Sequence, residues 1–350
     1  MKGCLTFVVL IGILLLVFPK ATQQIQETFV KPPEPVVLQS GSQEDQLFRT
    51  VRASSFKIER DASDGVVIGT GFFIDEEGYA LTAYHVVEFR EQVRVVLPNA
   101  RRFTADVVGF DNNTDLALLK VRIDKPNFLP LAATHPNVGD SILAVGNSGG
   151  DFLQRRVGKV IDLDVAASRA DFPPGTMEMQ APIAPGDSGG PVVNAKGQVV
   201  GVISYIRIYE DESRTAYAVP MNQEQKVLGE LYSGVKRDVP VLGVRSSIHA
   251  SSFDPGVRVG GVQQNSPAEK AGLRPERSEN VRMNDGSTEQ VLKADYILAI
   301  DGTRVRNFDE LIGVVRRKQI GEVVRLQVER DGKRLTLPVQ LGARASVFNE

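Results

Sequence analysis

Between residues 66 and 220, ten short runs of apolar and β-branched residues follow one another, each broken off by a turn signal. VVIGTGFFID (66–75) ends in the turn DEEG, and YALTAYHVV (79–87) resumes at once. The series continues through QVRVVL (92–97), FTADVVGF (103–110), DLALLKV (115–121), SILAVG (141–146), VGKVIDLDV (157–165), PVVN (191–194), VVGVISYIRI (199–208) and TAYAVP (215–220). Strands at this spacing must close on themselves or pack on a second sheet, which predicts an all-β sandwich or barrel. No sustained 3.6-residue period precedes residue 221, where MNQEQKVLGELYSG (221–234) reads as a helix stopped by Gly234. The 32 glycines and 19 prolines agree with a turn-rich β chain. At 350 residues, two or three domains are expected.

Several chemistries are excluded early. Lys and Arg total 41 against 43 Asp and Glu, a balance unlike that of a nucleic-acid coat, so no nucleic-acid partner is expected. The one basic run, Arg316-Arg317-Lys318, has acidic residues nearby and reads as a solvated helix end. Cys4 is the only cysteine, so neither an internal disulfide nor a thiolate metal site can form. The three histidines, His85, His135 and His249, show no helical metal-ligand spacing, and no metal or cofactor is expected.

The N-terminus reads as an address. Lys2 precedes 14 apolar residues, Leu5–Phe18, the length of a secretory hydrophobic region. Residues 1–21 are therefore a signal peptide, with Ala21 at its end, or an uncleaved membrane anchor. Any contact with a membrane is expected only there. Residues 22–47, with Pro32, Pro33 and Pro35, read as an extended linker. A β-rich unit is expected over 48–234, and a second unit over 239–343. The latter combines strands with short helices at SPAEKAGL (266–273) and NFDELIGVVRRK (307–318), and a hairpin turning at Asp331-Gly332.

Chemistry concentrates in GDSGGP (186–191). A nucleophilic serine needs an exposed hydroxyl on a tight turn with backbone amides converging beside it, and Gly186 and Gly189 permit that. Ser188 is the candidate nucleophile. The oxyanion site is expected from the Gly186-Asp187-Ser188 segment, chiefly the amides of Gly186 and Ser188. Serine needs a base, and His85 in TAYHVV is the best placed. Asp115, heading an apolar strand, is the carboxylate that would orient it, whereas Asp111 in DNN reads as a turn former. The chain order His, Asp, Ser, with separations of 30 and 73 residues, is that of the chymotrypsin-type triad.

With these motifs in view, residues 66–232 resemble the trypsin-like protease domain of the HtrA/Deg family. The resemblance rests on GTGFFID, LTAYHVV, NNTDLALLKV, LAVGNSGG, APIAPGDSGGPVVNAKGQVVGVIS and AYAVP. The second unit resembles the PDZ domain that follows it in that family, through Leu242-Gly243-Val244, SPAEKAGL, DYILAIDGTRV and the ERDGK hairpin. The resemblance implies a mainly β chain: a two-barrel chymotrypsin-like serine protease domain, then a PDZ domain with two short helices. It also implies an exported, periplasmic or inner-membrane-anchored endopeptidase acting on unfolded or misfolded proteins, assembled as a homotrimer or larger. Leu242, Gly243 and Val244 would bind peptide C-termini. Ser204, Tyr205 and Ile206 would hold substrate as an added strand. Pro182, at the expected base of the specificity pocket, argues for a small or medium aliphatic residue before the cut.

The sequence departs from the family at several points. Asp187 stands where the family usually has Asn, as in chymotrypsin and trypsin, where that Asp pairs with a new N-terminal amine. Gln180 replaces an Asp and Pro182 an Ala. A polar insertion over 274–292 is placed to cover or reshape the PDZ groove. The competing reading is a non-catalytic chaperone or PDZ scaffold that retains a protease fold.

Overall fold

The computed structural model describes residues 41–62, 65–150, 152–165, 175–208, 214–282 and 288–348. The expected export segment, and the linker as far as residue 40, lie outside them. The first element is a helix, α1 (Ser42–Ala53), which straddles the expected linker boundary. Leu47, Phe48 and Val51 form its inward side and join the main core. Glu44 and Asp45 in its first turn complement the helix dipole.

Six strands then close the first barrel: β1 (Ser55–Ala62), β2 (Gly65–Phe73), β3 (Tyr79–Ala83), β4 (Gln92–Val96), β5 (Arg102–Asp111) and β6 (Leu116–Val121). The hydrogen-bonded order is β5-β4-β1-β2-β3-β6, and β5 pairs back onto β6. One turn of helix, α2 (Tyr84–Val87), follows β3. The second barrel comprises β7 (Ser141–Gly146), β8 (Gln154–Val165), β9 (Thr176–Gln180), β10 (Pro191–Val193), β11 (Val199–Ile208) and β12 (Arg214–Pro220), closed in the order β10-β11-β12-β9-β8-β7. Alternation of apolar and polar residues fills each barrel: Phe56, Ile58 and Leu119 lie inside the first, Ile142, Met177 and Ile203 inside the second. A third cluster joins the two, with Phe72, Leu81 and Leu116 from one side meeting Leu143, Val145 and Val202 from the other. Burying a side chain of this size contributes about 1.5–3 kcal/mol, so this seam is a principal source of cohesion.

After the helix α3 (Lys226–Tyr232), the strand β13 (Lys236–Arg237) adds in parallel to β5. The remaining elements are β14 (Pro240–Val241), β15 (Val244–Ser246), β16 (Val257–Val262), α4 (Pro267–Lys270), β17 (Arg277–Arg282), β18 (Thr288–Lys293), β19 (Tyr296–Ile300), β20 (Thr303–Arg304), α5 (Phe308–Arg316), β21 (Val323–Arg330), β22 (Lys333–Gln340), β23 (Gly342–Ala343) and α6 (Arg344–Phe348). The sheet β15-β16-β19-β21-β22 covers an apolar core of its own. Ser266 and Asn307 cap α4 and α5 through the amides of Glu269 and Glu310. The β21–β22 hairpin turns at Asp331 and Gly332, both at positive φ as its tight turn requires. The insertion expected as a polar loop is a two-stranded ribbon, β17 paired with β18.

Candidate active site

Register places the base beside its carboxylate. β3 pairs with β6 so that Ala83 faces Leu116, and the residues just beyond, Tyr84-His85 and Asp115, are brought together. Asp115 takes a positive φ of 56°, and its carbonyl accepts the Tyr84 amide at 3.0 Å. Its carboxylate accepts the His85 amide at 3.0 Å and faces His85 Nδ1 at 2.9 and 3.1 Å. This arrangement fixes the proton on Nδ1 and leaves Nε2 to act as acceptor. His85, expected at a strand end, thus sits on the one-turn helix α2.

Both titrating groups are displaced in opposite directions. Burial acts to lower the His85 pKa, but the Asp115 charge and hydrogen bond outweigh it, with Glu88 adding to them, and the pKa is raised. With 45% of the His85 side chain exposed, that desolvation is partial. Burial acts to raise Asp115, and the charge of His85 with hydrogen bonds from His85 and Ser204 holds it below the ordinary carboxylate value. Ser204, expected only as part of a substrate strand, turns its buried hydroxyl onto Asp115 Oδ2.

Ser188 lies between β9 and β10 and lines the same cavity of about 350 Å³ as His85 and Asp115. Its hydroxyl donates to the Ser204 carbonyl at 3.2 Å. Gly189 has φ of 83°, and an added Cβ would fall 2.1 Å from Thr82 Oγ1 and 2.2 Å from the Thr70 carbonyl, so no larger residue fits. Thr70 bridges the barrels. Its amide donates to the Ser188 carbonyl at 2.8 Å and its hydroxyl to the Gly186 carbonyl at 2.9 Å. Among the described residues, neither the Gly186 nor the Ser188 amide is engaged by an acceptor, which leaves both free to face an oxyanion. The Asp187 amide is not available, since it donates to the Ala184 carbonyl at 3.0 Å. Asp187 belongs instead to the support of the loop, and its carboxylate meets Arg156 and Ser148.

Ser204, Tyr205 and Ile206 line the cavity, and Tyr205 stacks on Tyr217 with ring centroids 4.6 Å apart. Pro182 is exposed and not part of the cavity wall; Ile183, Ala184 and Pro185 form it, because the chain turns inward only after Pro182. Two arginines that the sequence did not single out for this site, Arg316 of α5 and Arg344 of α6, also line it. Arg344 Nε meets Glu88 at 2.6 Å. Leu242, Gly243 and Val244 line a separate groove of about 160 Å³ beside α5, and Phe348 contributes to its wall. None of the described β17 and β18 residues does. Asp111 holds a turn through the amide of Asn113 at 2.8 Å and also pairs with Arg237.

Residues 69–202 match the trypsin-like peptidase domain and residues 240–341 the PDZ domain. The serine protease HhoA of Synechocystis is 30% identical over 295 residues, covering 78% of this chain and 70% of that protein. A DegP-like periplasmic serine endoprotease of Chlamydia trachomatis is 32% identical over 303 residues, but the chain spans only 54% of its length. The crystal structure of the serine endoprotease from Yersinia pestis aligns over 87% of this chain and 99% of its own at 23% identity, with a TM-score of 0.49.

Proposed function

Because the chain belongs to the HtrA/DegP family of serine proteases, we propose that it is an exported, periplasmic endopeptidase that degrades unfolded or misfolded proteins through a His85–Asp115–Ser188 triad. The observation that carries this reading is the His85–Asp115 pair at 2.9 Å, sharing one cavity with Ser188, whose amide, like that of nearby Gly186, is unengaged among the described residues. In the reaction, Ser188 turns its hydroxyl from the Ser204 carbonyl towards His85 Nε2. His85 takes the proton as Oγ attacks the peptide carbonyl, and Asp115 stabilises the resulting imidazolium. The amides of Gly186 and Ser188 hold the oxyanion. His85 then protonates the departing amine, and water releases the acyl group by the same steps. Ser204-Tyr205-Ile206, which lines the cavity, holds the substrate as an added strand, and Ile183 beside Ala184 favours an aliphatic side chain before the cut.

The groove at Leu242-Gly243-Val244 receives a peptide C-terminus, and the working assembly is a homotrimer or larger, as in the family the sequence resembles. The second reading, a non-catalytic scaffold, is favoured by one observation: the Ser188 hydroxyl rests on Ser204 and not on His85. Labelling by a fluorophosphonate, together with casein hydrolysis, separates the two. Active enzyme is labelled, and Ser188→Ala abolishes labelling and lowers kcat by several orders of magnitude, leaving about 10³–10⁴-fold over the uncatalysed rate. Undiminished hydrolysis by Ser188→Ala, or an unlabelled wild-type protein, defeats the proposal.

A further inference from the structure

The residue before the nucleophile is a fully buried carboxylate, and its partners form a small closed network. Asp187 Oδ1 accepts the Ser148 amide at 2.9 Å. Oδ2 accepts the Ser148 hydroxyl at 2.8 Å, the Ala184 amide at 3.0 Å and Arg156 Nε at 3.3 Å. Arg156 Nη2 in turn donates to the Ser148 hydroxyl at 2.6 Å. The site is shaped for this group: a Cβ added at Gly146 would lie 2.2 Å from Asp187 Oδ1. Asp187 is 0% exposed, whereas Arg156, reaching in from β8, keeps 21% of its side chain in solvent.

Two features give this pair a role beyond cohesion. The carboxylate grips the Ala184 amide, so it ties down the start of the 184–188 loop. It is also joined through one peptide bond to Ser188, at the loop's other end. Between those anchors lie the Gly186 and Ser188 amides that face the oxyanion. A buried carboxylate is tolerated only while a cation and enough donors compensate its lost hydration. Without Arg156 the buried carboxylate loses its compensating cation and moves towards water, which slackens its hold on Ala184.

We propose that Arg156 is a positioning residue for catalysis: its guanidinium, paired with Asp187 and Ser148, keeps the Asp187 side chain in place, and thereby holds the oxyanion loop in its reactive shape. The cation is part of the folded second barrel, so the loop is set by folding and needs no amine released by cleavage. This rests on the catalytic reading above, and the test keeps the two apart.

The test uses kcat and KM on a peptide substrate, with the thermal midpoint measured alongside. Arg156→Gln, close in length but uncharged, is expected to lose about 10²-fold in kcat, the scale of a lost oxyanion donor. Its KM is expected to move by less than about threefold. Arg156→Lys, which restores the charge, is expected to recover most of the loss. Asp187→Asn combined with Arg156→Gln is expected to exceed Arg156→Gln alone in kcat, because a neutral amide needs no cation; a purely additive pair would fall lower still. If Arg156→Gln does not fold, Arg156→Lys and the double variant are read against wild type: each is expected to keep kcat within about tenfold, and a loss of about 10²-fold in either, the scale of a lost oxyanion donor, overturns the proposal. A folded Arg156→Gln with wild-type kcat, a Lys variant no better than Gln, or a double variant no better than the single one overturns the proposal. Undiminished hydrolysis by Ser188→Ala would instead overturn the catalytic reading.

Discussion

Thr70→Val tests how the first barrel supports the oxyanion loop of the second. The substitution keeps the β-branched shape at a fully buried position and deletes one hydroxyl. That hydroxyl donates to the Gly186 carbonyl at 2.9 Å and accepts from Asn147 Nδ2 at 2.9 Å. After its removal, among the described residues the Gly186 carbonyl keeps only the Asn147 backbone amide at 3.4 Å, and Asn147 Nδ2 keeps only the Gly69 carbonyl, also at 3.4 Å. Two neutral hydrogen bonds lost at a net 0.5–1.5 kcal/mol each give a cost of about 2 kcal/mol. For a unit of this size that lowers Tm by about 4–8 °C. The kinetic effect comes from the Gly186–Asp187 peptide plane, which the Thr70 hydroxyl clamps between the two oxyanion amides. Loosening it forfeits part of the 10²–10³-fold assigned to a whole donor, so kcat is expected to fall by about 10- to 100-fold with KM nearly constant. Steady-state kinetics on a peptide substrate, beside a thermal melt, provide the assay. A lowered Tm with kcat unchanged would show the bridge to be structural alone and refute the reasoning.

Two further outcomes follow from the site and its surroundings. In the proposed triad His85 acts as a base only when neutral, and its pKa is raised, so kcat/KM is expected to climb with pH through a midpoint above the ordinary histidine value of 6.5. Glu88→Gln, which removes one raising charge, is expected to lower that midpoint, and an unmoved pH profile would contradict the assignment. The same ion pair contributes stability that is full below the unfolded-state value and disappears as pH rises through the raised one. Replacing residues 278–292 by a short Gly-Ser turn is expected to leave the affinity for C-terminal peptides within about threefold of wild type. Fluorescence polarisation would show otherwise if the ribbon closes over the groove.

The barrels were legible because their information is local: each strand carries its own alternation and its own turn, as in DEEG or Asp331-Gly332. The grouping of His85, Asp115 and Ser188 in one cavity was legible because each lies in a distinctive setting and their order along the chain is informative. Ser204 and Arg156 were not. Their chemistry appears only through partners 89 and 31 residues away, and a serine or an arginine in a strand is ordinary on its own. The helix α1 escaped notice because only three apolar residues in 12 mark its inner face, directly after a proline-rich stretch. The β17–β18 ribbon was read as a loop because a two-stranded ribbon lying on the surface buries too little to impose alternation. Asp187 was placed with the oxyanion donors by its neighbours in sequence, and a short turn to Ala184 removed it from them.

The apolar seam between the barrels has a consequence for how the enzyme ages and heats. His85 and Asp115 belong to one side of it and Ser188 to the other, and no disulfide can rivet the halves because Cys4 is the only cysteine. A breathing motion that parts the seam by a bond length dismantles the chemistry while each barrel keeps its ladder of hydrogen bonds. Turnover on this triad is therefore expected to be a built-in gauge of docking, fading at temperatures where circular dichroism still reports intact strands.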